Sequence, residues 1–354
     1  MEKSELYEAL AGHLDQNVVG APLTESFLKI LDISFPVQEA QIALKLPFGN
    51  QTMAQLAALY PDKTTDALEE ILKRMVKRGT VYTSQPPGRE RVYRLLPTVV
   101  GFAETPFWSG KDTPEARALA PLWFKYRDEG FAAELARGTP VMRVIPVETA
   151  VKDVSQILPF DILKEKVEGT NYSAVAYCPC RQGARYLGKG CDHSDENCLH
   201  FGSMARYIVE QGMGREITKE EAIAILKKAD EEGLVHTCDN IEGHLGTICS
   251  CCGCNCVFLH AVKKGLNALS PSNYAALVDG DTCAGCGTCE DRCPVGAVAV
   301  TEEDTASVNQ ALCLGCGICA PACPTGSIGL VRREGLNPPL DVGTLFNLRM
   351  GGKM

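Results

Sequence analysis

The sequence predicts an α+β chain of several domains, with a winged-helix-like N-terminal domain, a mixed cysteine-rich middle and a C-terminal domain made from an internal repeat. Three observations carry this. The first hundred residues run through short helical patterns and then two alternating stretches around a Pro-Pro-Gly turn. All 18 cysteines lie from Cys178 onward, so the first half must fold as an ordinary apolar core. Between 275 and 331, DTCAGCGTCEDRCPVGAVAV and ALCLGCGICAPACPTGSIGL align position by position, thirty residues apart. These shifts divide the chain into 1–100, a connecting region 101–170, a cysteine-rich domain 171–270, the repeat 275–331 and a tail 332–354.

In the N-terminal part, Thr24–Leu31 and Val37–Leu46 carry apolar residues at helical spacing, and Thr52–Tyr60 is a short amphipathic helix ended by Pro61. Asp66 with Glu69 reads as a capping-box start for a longer helix. That helix places Leu68, Ile71, Leu72, Met75 and Val76 on one face and stops at Gly79. TVYTSQPPGRERVYRLL then reads as a hairpin. In the connecting region, Pro114–Arg137 reads as helix, Val141–Val147 as strand and Phe160–Val167 as helix. Farther on, Thr218 and Glu221 open a helix that Gly233 closes. The tail after Glu334 shows no element of its own.

With 354 residues, 45% hydrophobic and 22% charged, the chain has the composition of a soluble globular protein of two or three domains. A formal charge of −9 offers no overall attraction to nucleic acid or to an anionic membrane. The opening MEKSELYEAL has neither the basic n-region nor the apolar h-region of an export signal. No apolar run approaches the roughly 18 residues that a membrane helix needs. The expectation is therefore a cytoplasmic protein with no membrane span, whose thiols stay reduced and free to act as thiolate ligands.

The repeat carries the most specific signal. Cys283-x2-Cys286-x2-Cys289-x3-Cys293-Pro294 recurs as Cys313-x2-Cys316-x2-Cys319-x3-Cys323-Pro324, the run that holds [4Fe–4S] clusters in two-cluster ferredoxins. A Gly-containing loop folds three thiolates around one face of a cubane and aims backbone N–H groups at its sulfurs. The fourth cysteine, expected to begin a short helix, serves the other cluster. One cluster is thus assigned to Cys283, Cys286, Cys289 and Cys323, and the second to Cys313, Cys316, Cys319 and Cys293. The repeats should pair through Ala297–Val300 and Ala306–Val308, with Glu302, Glu303 and Asp304 in the turn. Zinc would want cysteines in two pairs rather than two runs of four followed by proline.

The middle cysteines match no such run. Cys178-Pro-Cys180-Arg181 follows the apolar stretch SAVAY, Cys191 and Cys198 lie in GKGCDHSDENCLHFG, and ICSCCGCNC contributes Cys249, Cys251, Cys252, Cys254 and Cys256. Cys178, Cys180, Cys191 and Cys198 read as one group and Cys249 to Cys256 as another, gathered around a third soft-metal site. A further iron–sulfur cluster leads the readings. Structural zinc comes second, held by four cysteines or by three cysteines and one histidine, with His193, His200 or His236 nearby. A redox dithiol at Cys251–Cys252 is third. Arg181 reads as a surface arginine rather than a residue that tunes a cluster.

Combined, Cys178-Pro179-Cys180-Arg181, Gly233-Leu234-Val235-His236, Ile248–Cys256 and Cys283–Pro324 resemble a family of anaerobe 4Fe–4S dicluster proteins with a winged-helix-like N-terminal region. The resemblance implies electron transfer in the cytoplasm of an anaerobe and names no substrate.

The leading expectation is an iron–sulfur electron-transfer protein, a subunit or dedicated redox partner of a larger anaerobic oxidoreductase rather than a free-standing enzyme. There is no G-x-G-x-x-G, Walker A loop or H-E-x-x-H. One alternative is a redox-sensing DNA-binding regulator. Against it, the N-terminal end of the helix that would read DNA carries Asp66, Glu69 and Glu70, and residues 1–100 hold 11 Lys/Arg against 12 Asp/Glu. The other is a reductase with substrate chemistry at the middle cysteines.

Overall fold

Helix caps decide where the elements of the N-terminal half begin. In the computed structural model, which describes residues 2–147, 150, 167–333 and 338–351, the chain divides into two units. The first comprises residues 1–134, 176–190 and 203–216, and the second 135–175, 191–202 and 217–354.

In the first unit, Thr24 Oγ1 accepts from Phe27 N–H at 3.1 Å and opens helix Glu25–Ser34. Thr52 and Gln55 form a capping box for Met53–Leu59. The next helix, Thr65–Arg78, is capped by Thr64, not by Asp66. The Thr64 hydroxyl accepts from Ala67 N–H at 3.3 Å, and Asp66 lies in the first turn, where its charge favours the positive end of the helix dipole. Gly79, at φ +83°, ends it. Strand β1 (Gln51–Thr52) pairs with β3 (Val92–Leu95), which pairs in turn with β2 (Val81–Ser84); both pairings are antiparallel. Helix Pro114–Tyr126 belongs to this unit, where Tyr126 stacks on Phe27 at 4.7 Å between ring centroids. Phe27, Ile30, Leu31, Leu68, Leu72 and Met75 are fully buried, each contributing about 1.5–3 kcal/mol of apolar transfer.

The second unit holds most of a six-stranded sheet. Its strands are β4 (Met142–Ile145), β5 (Ser173–Tyr177), β6 (Glu196–Phe201), β7 (Arg215–Ile217), β8 (Val235–Asp239) and β9 (Thr247–Cys251), in the order β4-β8-β9-β6-β5-β7. On one face Leu199, Cys238 and Ile248 pack with Ala222 and Leu226 of helix Lys219–Glu231. Strand alternation puts Cys198, His200, Thr237, Cys249 and Cys251 on the other face. The repeat supplies β10 (Tyr274–Val278), β11 (Val298–Val300), β12 (Ala306–Val308) and β13 (Ile328–Arg332). β11 pairs with β12 as expected; β10 pairs with β13 as well, an outer ribbon that the repeat pattern did not suggest.

Two further expectations change. The tail does form an element: Asp341 Oδ1 accepts from Thr344 N–H at 2.7 Å and starts helix Val342–Met350, whose Arg349 is fully buried and donates to Thr139 O at 2.8 Å. The helix expected at Phe160–Val167 falls, apart from Val167, outside the described residues. Among the described residues no helix is long and apolar enough to cross a membrane.

Candidate metal centres

The two cysteine loops owe their shape to glycine. Gly285 sits at φ +61° and Gly315 at φ +65°. A Cβ on Gly285 would collide with the Asp304 carbonyl oxygen, and one on Gly315 with that of Tyr274. With the loops so curled, Cys283, Cys286, Cys289 and Cys323 line one cavity, and Cys293, Cys313, Cys316 and Cys319 line a second. About 320 and 330 Å³ of space, part of it open to solvent, lies at the two cavities. Each draws its fourth thiol from the other repeat. The short helix lies before that thiol, not after it: Thr288–Arg292 ends at Cys293, which caps it, so Cys293 begins no helix.

Residues 282–327 match the family model of the 4Fe-4S dicluster domain. This is a ferredoxin-like iron–sulfur domain, and electron transfer is the role that such a domain supports. Searches of curated proteins and of solved structures returned no match.

The dicluster domain treats its two cavities differently. Around the first, the Thr288 hydroxyl lies 3.4 Å from Cys286 Sγ and the Thr325 hydroxyl 3.6 Å from Cys323 Sγ. Cys286 is exposed, and the Thr288 hydroxyl holds its thiol below the usual range. Burial works against Cys323, but hydrogen bonds from Thr325 and the backbone after it outweigh burial and bring its thiol down to about 6. The second cavity is lined by Ala276, Val295, Val298, Leu314, Ile318 and Leu330. Desolvation there pushes Cys316 up to about 12 and raises Cys319 as well. Backbone donors reach both sites: Ala306 N–H to Cys283 at 3.4 Å, Ala297 to Cys293 at 3.1 Å, Ala276 to Cys313 at 3.5 Å.

The middle cysteines are sorted differently from the sequence grouping. Cys191 Sγ and Cys252 Sγ lie 3.9 Å apart, and with Cys254 and His193 they form a set whose donor atoms are all within 4.8 Å of one another. The structure thus joins Cys191 to the later cysteine run. Desolvation, and next the neighbouring Cys252 and Cys191 thiolates, push the Cys254 thiol up to about 11.

Of the remaining candidates, Cys178 caps helix Pro179–Tyr186, and Cys180 lies in its first turn. Both belong to the first unit. Their mutual hydrogen bond, with burial, raises the Cys178 thiol far above its usual range. Arg181 beside them is fully buried, so it is no surface arginine. Cys198 Sγ lies 3.3 Å from His200 Nε2, and burial drops that imidazole to about 3. Cys249 and Cys251 share its sheet face, and buried Cys256 caps helix Val257–Lys263.

Cys238, the one middle cysteine outside the sequence-derived set, is a core residue. The residue underweighted was His193. His236 is bound on both sides, to Ser250 Oγ at 3.1 Å and Asp230 Oδ1 at 2.8 Å, and His200 touches Cys198 and Thr247. His193 Nδ1 is buried with no hydrogen-bond partner. Its position two residues after Cys191 was the available signal.

Proposed function

We propose that this chain is an electron relay that serves a larger oxidoreductase as a subunit or dedicated redox partner. Cys283, Cys286, Cys289 and Cys323 hold one [4Fe–4S] cluster, Cys313, Cys316, Cys319 and Cys293 hold the other, and the middle cysteines hold a third metal site. The observation that carries this reading is the pair of matched cavities, each lined by three thiols of one repeat and one of the other.

The N-terminal unit is read as a winged-helix-like module that docks protein. The helix order and the β1-β3-β2 sheet support that reading. Charge pairing counts against the DNA-binding regulator. Lys73 lies 3.3 Å from Glu69 and 2.9 Å from Glu70, and Arg78 lies 3.0 Å from Glu39 and 3.5 Å from Glu115. Arg74 donates to Gln38 at 2.8 Å and Lys77 to Gln211 O at 3.2 Å. Cations engaged in this way leave a poor footprint for phosphate.

Protein purified anaerobically should contain at least about eight iron atoms and matching sulfide, reducible one electron at a time with two EPR-active centres. Absence of iron after anaerobic reconstitution would end this reading. A sequence-specific, salt-sensitive DNA footprint would favour the regulator instead.

A further inference from the structure

The set Cys191, His193, Cys252 and Cys254 has the dimensions of a single-ion site. A tetrahedral zinc ion with bonds of about 2.3 Å to sulfur places its thiolates about 3.8 Å apart; Cys191 Sγ and Cys252 Sγ are 3.9 Å apart. Cubane thiolates sit on four separate irons and stand wider. The same structure offers an internal comparison, because among the described residues the eight dicluster thiols surround their cavities without forming any group so tight. Three sulfurs and one imidazole are also a usual donor set for structural zinc.

The surroundings are built to keep these donors in place. Asn255 Nδ2 donates to Cys191 Sγ at 3.6 Å. Ser194, next to His193, is tied to Glu232 through its backbone N–H at 2.7 Å and through its hydroxyl, and Asn197 Nδ2 donates to Ser194 O at 3.0 Å. His193 Nδ1, buried and unpartnered, is a polar group that an ion in this set would account for. On the far side, Gly253, between Cys252 and Cys254, meets the dicluster domain: a Cβ there would lie 3.0 Å from Pro294 O and 3.2 Å from Pro294 Cα. Lys263 Nζ holds the same loop through Gly253 O at 2.7 Å. Pro294 directly follows Cys293 and lines the second cavity with it.

We propose that Cys191, His193, Cys252 and Cys254 bind one structural zinc ion, and that this ion fixes the Cys252–Cys254 loop as the abutment for the Cys293–Pro294 segment at the second cluster. The proposal rests on reading the middle cysteines as a third metal site and gives that site its ion, ligands and task. No open coordination position and no redox step belong to it.

The test uses the full chain, purified anaerobically from cells supplied with both iron and zinc. One zinc per chain is expected, with a zinc-edge absorption spectrum of three sulfurs and one nitrogen. Cys254→Ser, at an exposed ligand, should lose zinc to a chelator at least about tenfold faster while iron stays at about eight atoms. His193→Cys should keep zinc with a four-sulfur shell. Loss of zinc should shift the EPR signal or midpoint of the second cluster and leave the first unchanged. Iron in place of zinc, iron lost by Cys254→Ser, or zinc that survives both substitutions with its shell unaltered would overturn the assignment. Zinc lost with both cluster signals unmoved would overturn the abutment. A chain without cluster iron would sink the electron-relay reading and leave the zinc spectrum to decide this one.

Discussion

The backbone N–H of Ala306 donates to Cys283 Sγ at 3.4 Å, so a strand leading into the second repeat supplies a donor to the first thiol of the first repeat. Thirty residues earlier Ala276 does the same for Cys313 at 3.5 Å. These two donors match, while the sites differ in side chains and exposure. Hydrogen bonds to sulfur and access to water both stabilise the reduced, more negative cluster and raise its potential. A redox titration should therefore resolve two midpoints, the higher belonging to the site with Thr288 and Thr325. Thr288→Val removes a bond of about 1 kcal/mol and should lower that midpoint by up to about 40 mV, leaving the other in place.

The proposed exchange of fourth ligands predicts a pairing of phenotypes that sequence proximity would not. Cys323→Ser should perturb the same EPR signal as Cys286→Ser, although the two lie in different repeats. Cys293→Ser should in turn act with Cys316→Ser. If Cys293→Ser and Cys286→Ser instead alter one signal together, each run keeps its own four thiols and the assignment fails.

Gly285 offers a sharper structural test. An alanine there must adopt a left-handed conformation at about 1–2 kcal/mol and also displace the Asp304 carbonyl. Gly285→Ala should lower the iron content by up to about four atoms per chain, all from the first site. Gly287→Ala, with equally positive φ but open space around it, should show only the conformational penalty. Iron analysis and EPR on the two variants separate collision from strain.

These residues also mark what the sequence makes legible. The dicluster domain could be read because one loop must curl three thiolates around a cluster, which confines cysteine, glycine and proline to fixed positions. The middle site could not be grouped in advance. Cys191 and Cys252 come together only because helix Lys219–Glu231 and strands β8 and β9 return the chain, and no local spacing encodes that return. The tail helix was missed for a different reason. Its apolar residues follow no amphipathic stripe, with Val342 and Leu348 exposed and Leu345 buried, and a buried arginine donating to a distant carbonyl helps to hold it. Thr64 took the cap from Asp66 because both are capping residues two positions apart, and the apolar face of the helix does not distinguish the two starts.

The first unit contains a group that should make its stability depend on pH. Burial pushes the Glu104 carboxyl up to about 8, against the hydrogen bond it accepts from Gly101 N–H at 2.6 Å. The folded chain keeps a proton on Glu104 at pH values where the unfolded chain, ionising near the usual carboxylate value, has released it. The unfolded state then binds fewer protons, so stability falls as pH rises from about 4.5 to about 8, by at most about 1.4 kcal/mol per unit, and levels off above that. A glutamine can accept the same N–H without a charge. Glu104→Gln should therefore flatten the profile, match the parent protein near the acid end of the window and exceed it at about pH 8 and above. Both tryptophans, Trp108 and Trp123, lie in this unit, so urea unfolding followed by their fluorescence reports on it directly. Parallel pH profiles for parent and variant would show that Glu104 ionises in the folded protein as it does in the unfolded chain.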